Sequence, residues 1–210
     1  FMTDNLQCNG GQGQANYTKA VAKGRAPFTW SKDVYEDLLL PDGFSNKTFV
    51  NSWETIYGQI SGCNVVLDYI DKVSGSEADK NNLRGQALAM RAYYYFLLVN
   101  MYGKPYNMPG LDPANSPGVP LRLRLLVTDS LYPRNSVAEV YHQVEADLKT
   151  GTALMKAYPQ NNGIYKMSPL AAYAMLSRMY LYQEKWEQSI TYADSAIALK
   201  PGLTQLSGYL

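Results

Sequence analysis

The alternation of apolar and polar positions divides the chain into long stretches of helical period, separated by polar segments rich in proline and glycine. From about Phe49 to Lys72, Trp53, Tyr57, Ile60, Asn64 and Leu67 step by four, three, four and three. That spacing predicts a mostly buried helix in which Asn64 needs hydrogen-bond partners. Ser76-Glu77-Ala78-Asp79 has the form of a capping box and opens a second helix. Leu83, Ala87, Met90, Tyr94, Leu97 and Met101 are its predicted buried stripe, and Gly103 and Pro105 end it. A further capping pattern, Ser136 to Glu139, opens a third helix with Val137, Tyr141, Val144 and Leu148 on its apolar face. Pro159 and Asn161-Asn162-Gly163 close it.

The last periodic stretch, residues 170–201, reads as a helical hairpin that fits the tetratricopeptide pattern without a gap. Tyr173 takes the large aromatic position, followed by Leu176, Ser177, Tyr180, Ser189, Ala193, Ala196 and Pro201. Small side chains at Ser177, Ser189 and Ala196 let the two arms approach closely. Trp186, Ile190 and Ile197 lie on the apolar stripe of the second arm, and Trp53 on that of the first helix, so both tryptophans are expected in the core. Such a unit cannot bury its apolar face alone and needs stacked neighbours. The second and third helices supply a second hairpin, whose turn is expanded into a loop.

The expected class is therefore all-α: tetratricopeptide-like hairpins with long irregular loops, in one domain over residues 1–210. Residues 1–48 form a loop-rich N-terminal segment broken by Gly10, Gly11, Gly13, Pro27 and Pro41-Asp42-Gly43, with one short helix near Lys32 to Leu40. Residues 49–103 hold the first long helices, and 135–201 the third helix with the 170–201 hairpin. Between them, residues 104–134 hold Pro105, Pro109, Pro113, Pro117, Pro120 and Pro133, six of the eleven prolines. A loop this long is functional or docked on something.

Composition adds little that is specific. Nineteen basic and eighteen acidic residues, with no run of either sign, give no footprint for nucleic acid or an anionic membrane. Eighteen Tyr against five Phe place many amphipathic rings at half-exposed positions. Cys8 and Cys63 have neither a disulfide-scaffold nor a zinc-site spacing and are expected as unpaired thiols. No run of apolar residues is long enough for a membrane span, and the start at Phe1-Met2-Thr3-Asp4 lacks the pattern of a signal peptide. Any leader is thus expected outside this sequence. The single histidine, His142, has no triad or metal-site partners in pattern, so a solvated or capping role is expected. Gly10-Gly11-Gln12-Gly13 lacks the Lys-Ser/Thr of a phosphate loop. No catalytic residue, metal or cofactor is assigned.

Three segments together resemble the SusD/RagB family of outer-membrane nutrient-binding lipoproteins. The first is Ser52-Trp53-Glu54-Thr55-Ile56-Tyr57 with Ile60 and Cys63-Asn64. The second runs from Arg84-Gly85-Gln86-Ala87 through Arg91-Ala92-Tyr93-Tyr94-Tyr95-Phe96 to Tyr102-Gly103, and the third is the hairpin Ala171 to Ala196. Val140-Tyr141 with Asp147-Leu148, and Met2-Thr3-Asp4-Asn5, extend the resemblance over most of the chain. On this resemblance Trp53, Tyr57, Asn64, Arg91, Tyr94, Gly103 and Trp186 are structural motif residues. Gln86 stands where the family has Glu, which implies a neutral bond to Arg91 in place of an ion pair.

The resemblance implies the N-terminal half of a longer chain, lipid-anchored on the outer face of the outer membrane through a Cys not contained here. It implies partnership with a SusC-like TonB-dependent transporter and capture of a glycan or, second, a peptide. Flat aromatic faces stack on sugar rings while short polar side chains bond hydroxyls, which makes Trp30, Tyr17, Tyr35, Asn5 and Asn46 the ligand-binding candidates. Alternatively, Trp30 pins the N-terminal segment onto the helices. A different class also fits: a tetratricopeptide scaffold holding a peptide of another protein, which Asn or Lys residues lining its groove would favour.

Overall fold

The structure, a computed structural model, describes residues 52–125, 131–161, 163 and 165–202. Contacts divide the chain into two compact units, residues 1–55 and 56–210, and the described residues belong to the second unit and to the start of the helix that leads into it. Its elements are α1 (Ser52–Tyr69), a 3-10 turn (Ile70–Lys72), α2 (Glu77–Tyr102), α3 (Val137–Ala157), α4 (Pro169–Tyr182) and α5 (Trp186–Leu199). Among the described residues there is no strand, only a lone bridge between Pro117 and Ser136. The all-α class is borne out.

Local chemistry sets the helix ends. Ser76 caps α2 by accepting the Asp79 amide at 3.0 Å, while its hydroxyl donates to the Asp79 carboxylate at 2.6 Å. At α3 the reciprocal box forms: Ser136 Oγ accepts the Glu139 amide, and Glu139 Oε2 accepts the Ser136 amide at 2.7 Å. A cap of this kind contributes about 1 kcal/mol. Pro169 occupies the first turn of α4, where its missing N–H costs nothing. The α4–α5 turn places Glu184 at φ 56°, a left-handed conformation unusual for a residue with a Cβ.

α2 packs on α3, α3 on α4, and α4 on α5, a succession of antiparallel hairpins. The core runs through Ala89, Ala92, Tyr95, Leu98 and Val99 of α2, Val140, Val144 and Leu148 of α3, and Leu176 and Met179 of α4. In the last hairpin the small residues do more than make room. Ser177 Oγ donates to the Ser189 carbonyl at 2.8 Å, and Ser189 Oγ to the Ser177 carbonyl at 3.0 Å.

Three expectations need correction. The buried face of α2 is Asn82, Gly85, Ala89, Ala92, Phe96 and Val99 with Ala87, Arg91, Tyr95 and Leu98; of the expected stripe Ala87 is buried, whereas Leu83 is exposed and Met90, Tyr94, Leu97 and Met101 are half-buried. The face is rotated because α2 meets α3 through its smallest residues rather than its largest. On α1 only Ile60 and Asn64 are buried, since among the described residues this helix faces loop rather than helix. Trp186, Ile190 and Ile197 are 57%, 61% and 58% exposed. α5 turns Ser189 toward α4, and no other described helix packs on it.

Candidate functional site

The Pro-rich loop is docked at residues 120–125, and a largely buried polar network holds that stretch. Arg91 of α2 forks onto Asp147 of α3, with Nε and Nη2 donating at 2.8 and 2.9 Å to the two carboxylate oxygens. Its Nη1 donates to Asn64 Oδ1 at 2.9 Å and to the Leu123 carbonyl at 3.0 Å. Asn64 passes the link on, its amide donating to the Arg122 carbonyl at 2.8 Å. Gln143 adds a donor to Asp147 Oδ1 at 2.9 Å. A charge pair taken out of water is tolerable only when its remaining donors and acceptors are used, as they are here.

Two tyrosines complete the grip. The Tyr95 hydroxyl donates to the Arg122 carbonyl at 2.7 Å and accepts the Arg122 amide at 2.6 Å, so one phenol satisfies both backbone groups of one loop residue. Tyr57 donates to the Pro120 carbonyl at 2.7 Å. Burial raises the pKa of both hydroxyls well above the ordinary tyrosine value, so they stay protonated as donors. Asp68 accepts the Leu125 amide at 2.8 Å. On the other edge, Asn135 Oδ1 accepts the Leu121 amide at 2.9 Å, and its backbone carbonyl accepts the Gly118 amide at 2.7 Å.

Where this hydrogen-bonded segment meets the start of α3 it leaves an open cleft of about 430 Å³, lined by Leu121, Asn135, Ala138, Glu139, His142 and Gln143. Bonds from the Ser136 backbone and from Asn135 hold the Glu139 carboxyl below the usual carboxylate range. A lining that joins Leu121 and Ala138 to two amides, a carboxylate and an imidazole suits a ligand rich in hydroxyl groups. Nearby in sequence, the Arg122 guanidinium lies 4.9 Å over the Tyr132 ring.

The structure brings Tyr57, Asn64 and Arg91 together on residues 120–123, while Trp53, expected in the core, and Tyr94 are half-buried. Gly103 ends α2 with its amide on the Val99 carbonyl, where a Cβ would come within 2.6 Å of that oxygen. Trp30, Tyr17, Tyr35, Asn5 and Asn46 lie outside the described residues, as do Cys8, the Gly10–Gly13 stretch and the short helix near Lys32. Gln86 does not bond Arg91: it donates to Asn82 at 2.7 Å, and Asp147 is the arginine's partner. Asp147 was missed in that role, although a lone acid in register with Val140, Val144 and Gly151 is its visible signal. Tyr95 and Asn135 were missed too, because their partners are loop backbone, whereas Glu139 was named only as the capping residue that it proves to be. His142 is exposed, and Cys63 is half-buried and in no disulfide, its thiol pKa raised chiefly by burial. Among the described residues no group of His, Cys, Asp and Glu is placed to hold a metal, and no helix is long and apolar enough to cross a membrane.

Residues 9–181 match the SusD-like family model whose description is starch-binding, associating with the outer membrane. Among solved structures, a Bacteroides vulgatus candidate sugar-binding protein is 37% identical with a TM-score of 0.62, covering 70% of this chain and 32% of its own. A SusD-like carbohydrate-binding protein of the same organism is 32% identical with a TM-score of 0.65, covering 75% and 33%. A laminarin-binding SusD-like protein is 26% identical with a TM-score of 0.58, covering 70% and 29%. The matched region thus spans about a third of these relatives' length. No curated protein matches.

Proposed function

This chain belongs to the SusD-like family of starch-binding, outer-membrane-associating proteins, and from that membership we propose that it captures glycans at the cell surface for a SusC-like TonB-dependent transporter. The match over residues 9–181 carries this reading, and the carbohydrate-binding relatives favour a glycan over a peptide. The role is binding without turnover, and attachment to the membrane is through an N-terminal lipid anchor.

Capture profits from a surface that is already in shape, because ordering a loop on binding subtracts from affinity. The network that fixes residues 120–125 keeps Leu121 beside Asn135, Glu139, His142 and Gln143 before any ligand arrives. Sugar hydroxyls accept from the amides and donate to the Glu139 carboxylate. Apart from that cleft, the N-terminal segment contacts sugars on its own account, Trp30, Tyr17 and Tyr35 by stacking and Asn5 and Asn46 by hydrogen bonds.

Affinity purification of the full-length, lipid-anchored protein from outer membranes tests the partnership. A TonB-dependent β-barrel recovered in stoichiometric yield is the expected result. Recovery of the protein without any barrel would overturn it.

A further inference from the structure

We infer that a second groove, between the C-terminal half of α3 and the α4–α5 hairpin, binds an extended acidic peptide segment of a partner protein. Lys149, Thr152, Ala153, Lys156 and Ala157 step by three and four along α3 and line one side. Tyr173 and Leu176 of α4 and Tyr192 of α5 line the other, enclosing about 510 Å³. The glycan cleft draws on Ala138 to Gln143, at the other end of α3, so the two sites are independent.

The groove is built for anions. Tyr192 is flanked by Tyr180, stacked at 5.4 Å and 11°, and by Tyr173 at 6.0 Å and 32°. Three ammonium groups surround this array. Lys156 donates to the Tyr173 hydroxyl at 3.2 Å and lies 5.6 Å from that ring's centroid. Lys149 and Lys185 lie 5.9 and 5.8 Å from the Tyr180 centroid. Glu145 accepts from Lys149 at 2.6 Å, and the two charged residues that line the groove itself are both lysines, Lys149 and Lys156. The ring faces, and for Lys156 the Tyr173 hydroxyl, hold the ammonium groups in place, so less rotamer freedom is lost when a carboxylate arrives.

The same arrangement disfavours a sugar. The ring faces that would stack on a pyranose are turned to one another and to the ammonium groups. Lys149 and Lys156 are seven residues apart, about 10 Å along the helix. About three residues of extended chain span that distance, so a segment with closely spaced Asp or Glu meets both.

Fluorescence anisotropy on the full-length protein tests this with a labelled dodecapeptide of repeating Glu-Gly-Gly, its Gln-Gly-Gly counterpart, and an oligogalacturonate as an acidic glycan. The Glu peptide is expected to bind at least about tenfold tighter than the Gln peptide, and to weaken by about tenfold in the Lys149→Gln/Lys156→Gln double variant. A Lys166→Gln control, at an exposed lysine outside the groove, should bind like the parent. Equal binding of the Glu and Gln peptides, an unaffected double variant, or binding of the oligogalacturonate alone would each overturn the proposal. Circular dichroism melts of the variants confirm that exposed lysines were removed without unfolding.

Discussion

Gly85 on α2 and Gly151 on α3 meet backbone to backbone. A Cβ on Gly85 would lie 2.8 Å from the Gly151 carbonyl oxygen, and one on Gly151 would lie 2.6 Å from the Gly85 carbonyl oxygen. Neither obstacle is a flexible side chain, so a methyl group at either position must push the helices apart. Gly85→Ala and Gly151→Ala are each expected to lose about 1–3 kcal/mol in urea denaturation. Gly58→Ala, on α1 with nothing within 4 Å, should instead gain up to about 1 kcal/mol from helix propensity. Equal effects at the three positions would contradict the close contact.

The same interface carries Arg91 and Asp147, whose side chains are 7% and 5% exposed. Asp147→Ala leaves a buried guanidinium without its counter-ion and is expected to cost about 3–5 kcal/mol. Because Arg91 also donates to the Leu123 carbonyl, the loop should loosen with it. Faster hydrogen exchange at the Arg122 and Leu125 amides, with α4 and α5 unchanged, is the specific sign. A loss under about 1 kcal/mol would show that the pair does not hold the loop.

Alkaline pH probes the buried phenols. Burial raises the hydroxyl pKa of Tyr57, Tyr95 and Tyr141 above the ordinary value, and burial with the Glu145 bond pushes Tyr180 up to about 12. The folded state therefore favours the protonated phenol. The stability this contributes is whole below about pH 10 and falls as pH rises through the folded values. Cys63, also raised by burial, adds to the loss from about pH 9. Urea melts from about pH 8 to 12, beside the ultraviolet titration of tyrosinate, should show stability falling as the late-titrating phenols ionise. Uniform ionisation near pH 10 in a protein that stays folded would contradict their burial.

Much of the helical scaffold was legible in the sequence because it rests on local rules. Capping residues at Ser76 and Ser136, the apolar face Val137, Tyr141, Val144 and Leu148, and the small residues of the final hairpin all act within a few turns. The face of α2 was misread because hydrophobicity ranks Leu83 and Met90 above Gly85 and Ala89, whereas a close helix contact selects for size. Trp186 was misplaced because an apolar stripe does not say whether anything covers it. The site was less legible. The bonds to the Pro120, Arg122 and Leu123 carbonyls are indifferent to the side chains those residues carry. The lysine groove joins residues from three helices whose pairing periodicity alone does not fix.

Glycan capture is tested most directly by calorimetric titration of the full-length protein with a panel of polysaccharides and peptides, starch and laminarin among them, beside Trp30→Ala and His142→Ala. Saturable binding to one glycan class, none to peptides, and a loss of about tenfold or more in either variant is the predicted result. A folded full-length protein that binds no glycan at all would contradict it.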